Sequence, residues 1–260
     1  VIGAGTMGAG IAAHLANCGI PTLLLDVVPA ELSDKDKAKG LEKSSPAFRN
    51  RLASEAIQGI VKTRPAPLYD PADVDLIEAG NLEDDFDRLK EVDWVIEVIV
   101  ERLDIKQGLF ERLEAIHHEG QIISSNTSGL SLEEILQGRG QVFKEHSLIT
   151  HFFNPPRYMY LMELVAGSQT RPDIYEGMRE FTESVLGKGS VRCKDTPNFI
   201  ANRIGCFDLS YAAPLAQELG LSVEEADAIL GSPVGRPKSG AFRLMDLVGL
   251  DVAVHINSNL

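Results

Sequence analysis

Apolar residues along this chain follow two rhythms. Short runs alternate with longer stretches in which apolar positions recur every three or four residues, the periods of strands and helices. Val1 and Ile2 lead into Gly3, and an apolar helical pattern continues to about Gly19. Leu23, Leu24, Leu25 and Asp26 then read as a strand. Residues 29–64 read as helical but polar, with apolar positions thinned to Leu41, Phe48, Leu52, Ile57 and Ile60. Pro65, Pro67 and Pro71 mark a loop. Residues 93–100 are near-continuously apolar, as in a central parallel strand buried on both faces. Residues 104–118 carry Ile105, Leu109, Leu113 and Ile116 at helical spacing, and Gly120 ends that helix. Residues 121–125, 147–153, 161–165 and 190–193 read as further strands, and 173–186 as a helix. Ser131 and Glu134 have the spacing of a capping box opening a short helix.

Strands alternating with helices through residue 193 predict an α/β, doubly wound, mostly parallel sheet. From Pro197 the alternation stops. Residues 198–219 and 222–230 read as helices, the second with Ser222 and Glu225 as capping box. The expected organisation is a Rossmann-type domain over residues 1–194 with a helical arm at about 29–64, followed by the start of an all-α domain over 195–260. A Rossmann-type first strand normally has several residues before its glycine turn, so the natural N-terminus is expected upstream of Val1.

Composition narrows the partners. The chain has 260 residues, 44% hydrophobic and 24% charged, ordinary values for a globular protein. A net charge of −13 argues against nucleic acid or an anionic membrane as partner. No run is long and apolar enough to span a bilayer. Cys18, Cys193 and Cys206 show neither CxxC pairing nor metal-ligand spacing, so a reducing, cytoplasmic setting and no metal are expected. Against the acidic whole, residues 35–64 hold eight basic residues and three acidic ones. That contrast favours an anion-binding arm over a merely solvated one.

The glycines carry the first chemistry. Gly3, Gly5 and Gly8 stand as GxGxxG between a strand and a helix. Gly3 permits the tight turn, Gly5 lets backbone approach a pyrophosphate, and Gly8 lets helix and strand pack. The helix N-terminus at Thr6, Met7 and Gly8 offers amides and a positive dipole end to phosphates. Asp26 ends the second strand 18 residues after Gly8, where a carboxylate accepts from ribose hydroxyls and repels a 2′-phosphate. The expected cofactor is NAD rather than NADP.

Ligands of doubly wound sheets bind beyond the carboxyl ends of the strands. Residues 125–128, 151–154 and the helical pair Asn202 and Arg203 fall there. His151 lies in an apolar strand, facing the cofactor end. Glu163 lies in another apolar strand, where a carboxylate is costly unless paired. His151 is the obvious partner, and the two make a base and its orienter.

Residues 126–128, 151–155, 161–165 and 194–203, together with the glycine turn, resemble the L-3-hydroxyacyl-CoA dehydrogenase family along essentially the whole chain. The resemblance implies that His151 is the general base, with Glu163 as its partner. It further implies that Ser128 and Asn202 hydrogen-bond the reacting oxygen and help orient His151. Glu101 and Lys106 match positions that contact the NAD ribose and nicotinamide side, and Ser128 and Asn154 also line the cofactor site. Ser44 and Arg51 resemble the coenzyme A contacts. Gly129 and Asn198 depart from the family, which has Ser and Gly there. With Arg236 to Phe242 they resemble a bacterial subgroup whose dehydrogenase region precedes an enoyl-CoA hydratase-like one. The resemblance thus implies oxidation of (S)-3-hydroxyacyl-CoA in β-oxidation, by a homodimer or a section of a longer multifunctional chain. A dehydrogenase of free hydroxy or sugar acids, and a non-catalytic NAD-binding protein, are the competing readings.

Overall fold

The computed structural model describes residues 1–249; the end of the expected second domain, Asp251 included, lies outside the described residues. The chain divides into two compact units, Val1–Asp195 and Thr196–Leu260.

The first unit is built on a Rossmann-type sheet. Its strands are β1 Thr22–Asp26, β2 Ile77–Asn81, β3 Trp94–Glu97, β4 Ile122–Ser125, β5 Ser147–Phe152, β6 Leu161–Ala166 and β7 Gly189–Cys193. β1 pairs with β2, and β3 to β7 pair in chain order. Ile2 joins the two groups, bridging Leu25 of β1 and Glu97 of β3. All pairs are parallel except β5 with β6. The connection between those two is too short for a crossover helix, so the chain must turn back on itself. The core gathers Ile11, Leu24, Ile96, Phe152, Met162 and Leu164, all buried.

Helices α1 Thr6–Asn17, α2 Arg51–Lys62, α3 Leu103–Glu114 and α4 Pro172–Ser184 accompany the sheet. The expected arm at 29–64 is not one helix. It breaks into Asp34–Ala38, Pro46–Arg49 and α2, and Gly40 in the left-handed region (φ 65°) turns the chain between the first two. Strand β2 has no counterpart in the sequence pattern. Its Ile-Glu-Ala-Gly-Asn stretch includes Gly80 and Asn81, poor strand formers, and it becomes a strand through pairing along β1. The expected capping box at Ser131 is also corrected. Ser131 Oγ instead donates to Asp195 (2.8 Å), and Asp195 accepts from the amides of Leu132 (2.9 Å) and Glu133 (3.1 Å). A carboxylate from the far end of the unit therefore caps this four-residue helix.

The second unit is helical over its described residues: α5 Ala201–Glu218, α6 Val223–Ile229 and α7 Phe242–Val248. The Ser222 capping box forms as the spacing predicts, with Ser222 Oγ and the Glu225 amide at 3.2 Å.

Candidate active site

At the carboxyl end of the sheet, Gly3 turns the chain with φ 103°, and a Cβ there would overlap the Val98 carbonyl. A Cβ on Gly8 would overlap the Gly3 carbonyl, so α1 packs on the turn only with glycine present. Gly5, the N-cap of α1, faces open space. The first-turn amides at Thr6, Met7 and Gly8 have no acceptor within the helix. That combination is a cradle for a phosphate group. Asp26, at the end of β1, is drawn over it: its Oδ2 accepts from the Ala4 amide at 2.6 Å and its Oδ1 from Val27 at 2.7 Å. The carboxylate is thus fixed beside the turn, as a ribose-binding acid requires. A cavity of about 490 Å³ adjoins the turn, lined by Gly5, Thr6, Gly10, Gly59, Arg64 and Asn154 among others. A larger one of about 630 Å³ opens at the amino ends of β1, β3 and β4, the end of such sheets that does not bind ligand.

His151 and Glu163 are direct partners across the antiparallel β5–β6 pair. His151 Nδ1 lies 2.8 Å from Glu163 Oε2, with the two residues 4% and 1% exposed. The Asn126 side-chain oxygen, Oδ1, accepts from the Phe152 amide at 2.8 Å, tying the end of β4 to the strand that carries the histidine. The Phe153 ring lies 4.5 Å from the imidazole, centroid to centroid.

A second cluster joins β3, β4 and α3. Lys106 Nζ is 2.6 Å from Glu97 Oε1 and 3.2 Å from Glu101 Oε2. Glu97 Oε2 accepts from Ser125 Oγ at 2.5 Å, and Glu101 Oε1 accepts from the Ser128 amide at 3.0 Å and from Thr127 Oγ1. Glu101, Lys106 and Ser128 are therefore brought together. Ser128 and Asn154 are exposed at this end of the sheet. Asn202 stands in the first turn of α5, in the second unit.

The arm is less free than its charge count suggests. Arg51 is paired with buried Asp36 and stacked on Phe48 at 5.4 Å, so its charge is spent inside the arm. Arg49 is taken up by Glu83 and Asp84. Ser44 is exposed, 3.5 Å from Glu42. Lys35 and Lys39 are exposed.

Glu97 had no role in the sequence reading, nor did Asn126 and Asp195 inside the stretches it singled out. A signal existed for Glu97: a carboxylate inside an apolar strand needs a partner, the argument that picks out Glu163. Asn126 and Asp195 act through backbone amides far along the chain, which leave no local pattern.

Residues 1–196 match the family model described as "3-hydroxyacyl-CoA dehydrogenase, NAD binding domain", and residues 199–260 match that of the family's C-terminal domain. A Bacillus subtilis protein named "Probable 3-hydroxyacyl-CoA dehydrogenase" is 50% identical over all of this chain, which spans 33% of that protein. A Deinococcus radiodurans protein of the same name is 44% identical over the whole chain, which covers 71% of it. Among solved structures, 3-hydroxybutyryl-CoA dehydrogenase from Escherichia coli K12 superposes with a TM-score of 0.77 at 30% identity, over 100% of this chain and 51% of that one.

Proposed function

The chain belongs to the 3-hydroxyacyl-CoA dehydrogenase family, and from that premise we propose that it oxidises the 3-hydroxyl of an (S)-3-hydroxyacyl-CoA to the 3-oxo group in fatty-acid β-oxidation. The observation that carries the reading is the buried His151–Glu163 pair at the carboxyl end of the sheet. A 3-hydroxyl is too weak an acid to ionise at neutral pH, so a base must take its proton as hydride leaves C3. His151 is that base. Glu163 occupies Nδ1, so the proton arrives at Nε2, and the carboxylate stabilises the imidazolium that forms. Ser128 donates a hydrogen bond to the oxygen as it gains charge.

The residues fit NAD. Gly5 and the α1 amides hold the pyrophosphate, Asp26 the adenosine ribose, and Glu101, Lys106 and Asn154 the nicotinamide side. NAD held there would supply the hydride acceptor. The arm takes the coenzyme A end of the substrate through Ser44 and exposed cations such as Lys35 and Lys39, because Arg51 is paired with Asp36. The length of the Bacillus relative supports a place within a longer polypeptide; a homodimer is the other arrangement.

The test follows NADH formation by the full chain with short- and long-chain 3-hydroxyacyl-CoA, with a free 3-hydroxy acid as control. Turnover of the thioesters alone is expected, and His151→Ala should lower kcat by about 10²–10⁴-fold, the span of a general acid–base group. A folded, NAD-binding His151→Ala protein with nearly unchanged turnover would overturn the assignment, as would preference for the free acid.

A further inference from the structure

We propose that Glu97 is a positioning residue for the cofactor site: it takes up the charge of Lys106 so that the Glu101 carboxylate stays turned toward Thr127, Ser128 and the nicotinamide side of NAD. The proposal rests on the reading that Glu101 and Lys106 line that side.

Glu97 is the last residue of β3 and is fully buried, where a carboxylate persists only if its oxygens are satisfied. They are: Oε1 accepts from Lys106 Nζ at 2.6 Å and from the Ile99 amide at 2.8 Å, and Oε2 from Ser125 Oγ at 2.5 Å. Lys106, 1% exposed, is one cation between two carboxylates. The shorter contact goes to buried Glu97 and the longer, 3.2 Å, to Glu101, whose side chain is 46% exposed. Glu101 is held from the other side by Ser128 N and Thr127 Oγ1. With Glu97 neutral, the full charge of a buried ammonium would fall on Glu101, pulling it off the Ser128 loop and away from the cofactor. The backbone cannot relax to compensate, because the Gly3 turn packs directly on Val98, the next residue. Glu97 contacts no reacting group, so its effect passes through Lys106 and, secondarily, through Ser125 Oγ, which donates to Glu97 and accepts from the Thr127 amide at 3.1 Å.

The experiment compares binding of NAD and of ADP, which lacks the nicotinamide half, by calorimetry on the full chain. Glu97→Gln is expected to weaken NAD on the order of tenfold, the effect of one charge-assisted hydrogen bond, and to leave ADP unchanged. Because Glu97 acts chiefly through Lys106, adding Glu97→Gln to Lys106→Met should cost less NAD affinity than Glu97→Gln costs alone. Equal weakening of NAD and ADP would mean general loosening and overturn the proposal. So would unaltered NAD binding in Glu97→Gln, or a fully additive loss on the Lys106→Met background. If Glu101→Ala and Lys106→Met both leave NAD affinity intact, the cofactor reading itself fails, and the proposal with it. Should Glu97→Gln not fold, Glu97→Asp keeps the charge but withdraws it by one methylene. It should weaken NAD by a smaller factor with ADP unchanged, and no change in NAD would overturn the proposal.

Discussion

Asn198 shows how a single residue records a backbone demand. It sits at φ 60° and Phe199 follows at φ 47°, both in the left-handed region that favours glycine. The family pattern has glycine at this position, and asparagine is among the side chains that tolerate the conformation best. The fit is incomplete: the Asn198 Nδ2 is buried without a hydrogen-bond partner among the described residues. Asn198→Gly removes the orphan donor, worth about 1–3 kcal/mol, and the backbone strain. Against that, glycine frees the unfolded chain by about 0.4–1 kcal/mol. The net expectation is a gain of about 1 kcal/mol and a melting temperature higher by about 2–4 °C. A thermal melt decides it, and a lower melting temperature would show that the asparagine makes a favourable contribution. His151 and Glu163 make the opposite case: their residue types suggest a pair, and β5 and β6 set them face to face.

Among the elements, the arm shows how charge is spent. Its basic residues stand out in an acidic chain, yet Arg49 and Arg51 are held by Glu83, Asp84 and Asp36, and Lys37 and Lys43 by Asp34 and Glu31. Attraction for a coenzyme A phosphate must then come from cations still exposed, such as Lys35 and Lys39. Replacing both by Gln should raise KM for acyl-CoA, and added salt should narrow the difference from the unaltered protein, because exposed charges are screened within about 10 Å at 0.1 M salt. NAD affinity should not move. Steady-state kinetics at low and high salt check this, and an unaltered KM would return the arm to a solvated surface. Asp195 works over the same range of distances. By capping the helix at Leu132–Ile135 it holds the segment following Ser128, although 63 residues separate it from Leu132.

For the whole molecule, stability should fall on acidification, and His14 is one reason. It is buried in α1, its Nε2 faces the Leu186 carbonyl at 3.0 Å, and burial, with Lys188 nearby, lowers its pKa from 6.5 to about 4. Between those values the unfolded chain binds the proton and the folded one does not. The stability is therefore fully present above pH 6.5 and is lost as pH falls toward 4. Lys188 follows the same sign at higher pH. Burial lowers its pKa from 10.5 to about 8, so stability should rise from pH 8 to 10.5. His14→Gln keeps a donor for Leu186 and removes the titration. Urea unfolding at pH 7 and pH 5 should show the variant losing less stability between them, by about 2 kcal/mol at most. Equal losses would place the acid sensitivity elsewhere.

The amino-acid sequence by itself determined what depends on near neighbours in the chain. The periods of apolar residues placed most strands and helices, the glycine spacing placed the phosphate turn, and the residue types marked His151, Glu163 and Asp26 as its chemistry. Tertiary structure alone decided which groups meet. It gave Lys106 to Glu97 as well as Glu101, sent Asp195 to cap a distant helix, turned Arg51 inward to Asp36, and made a strand of residues 77–81. The physical reason is the same in each case. Local propensity costs or gains little per residue, whereas a buried charge or an unpaired amide must find a partner wherever the packed elements bring one within about 3 Å.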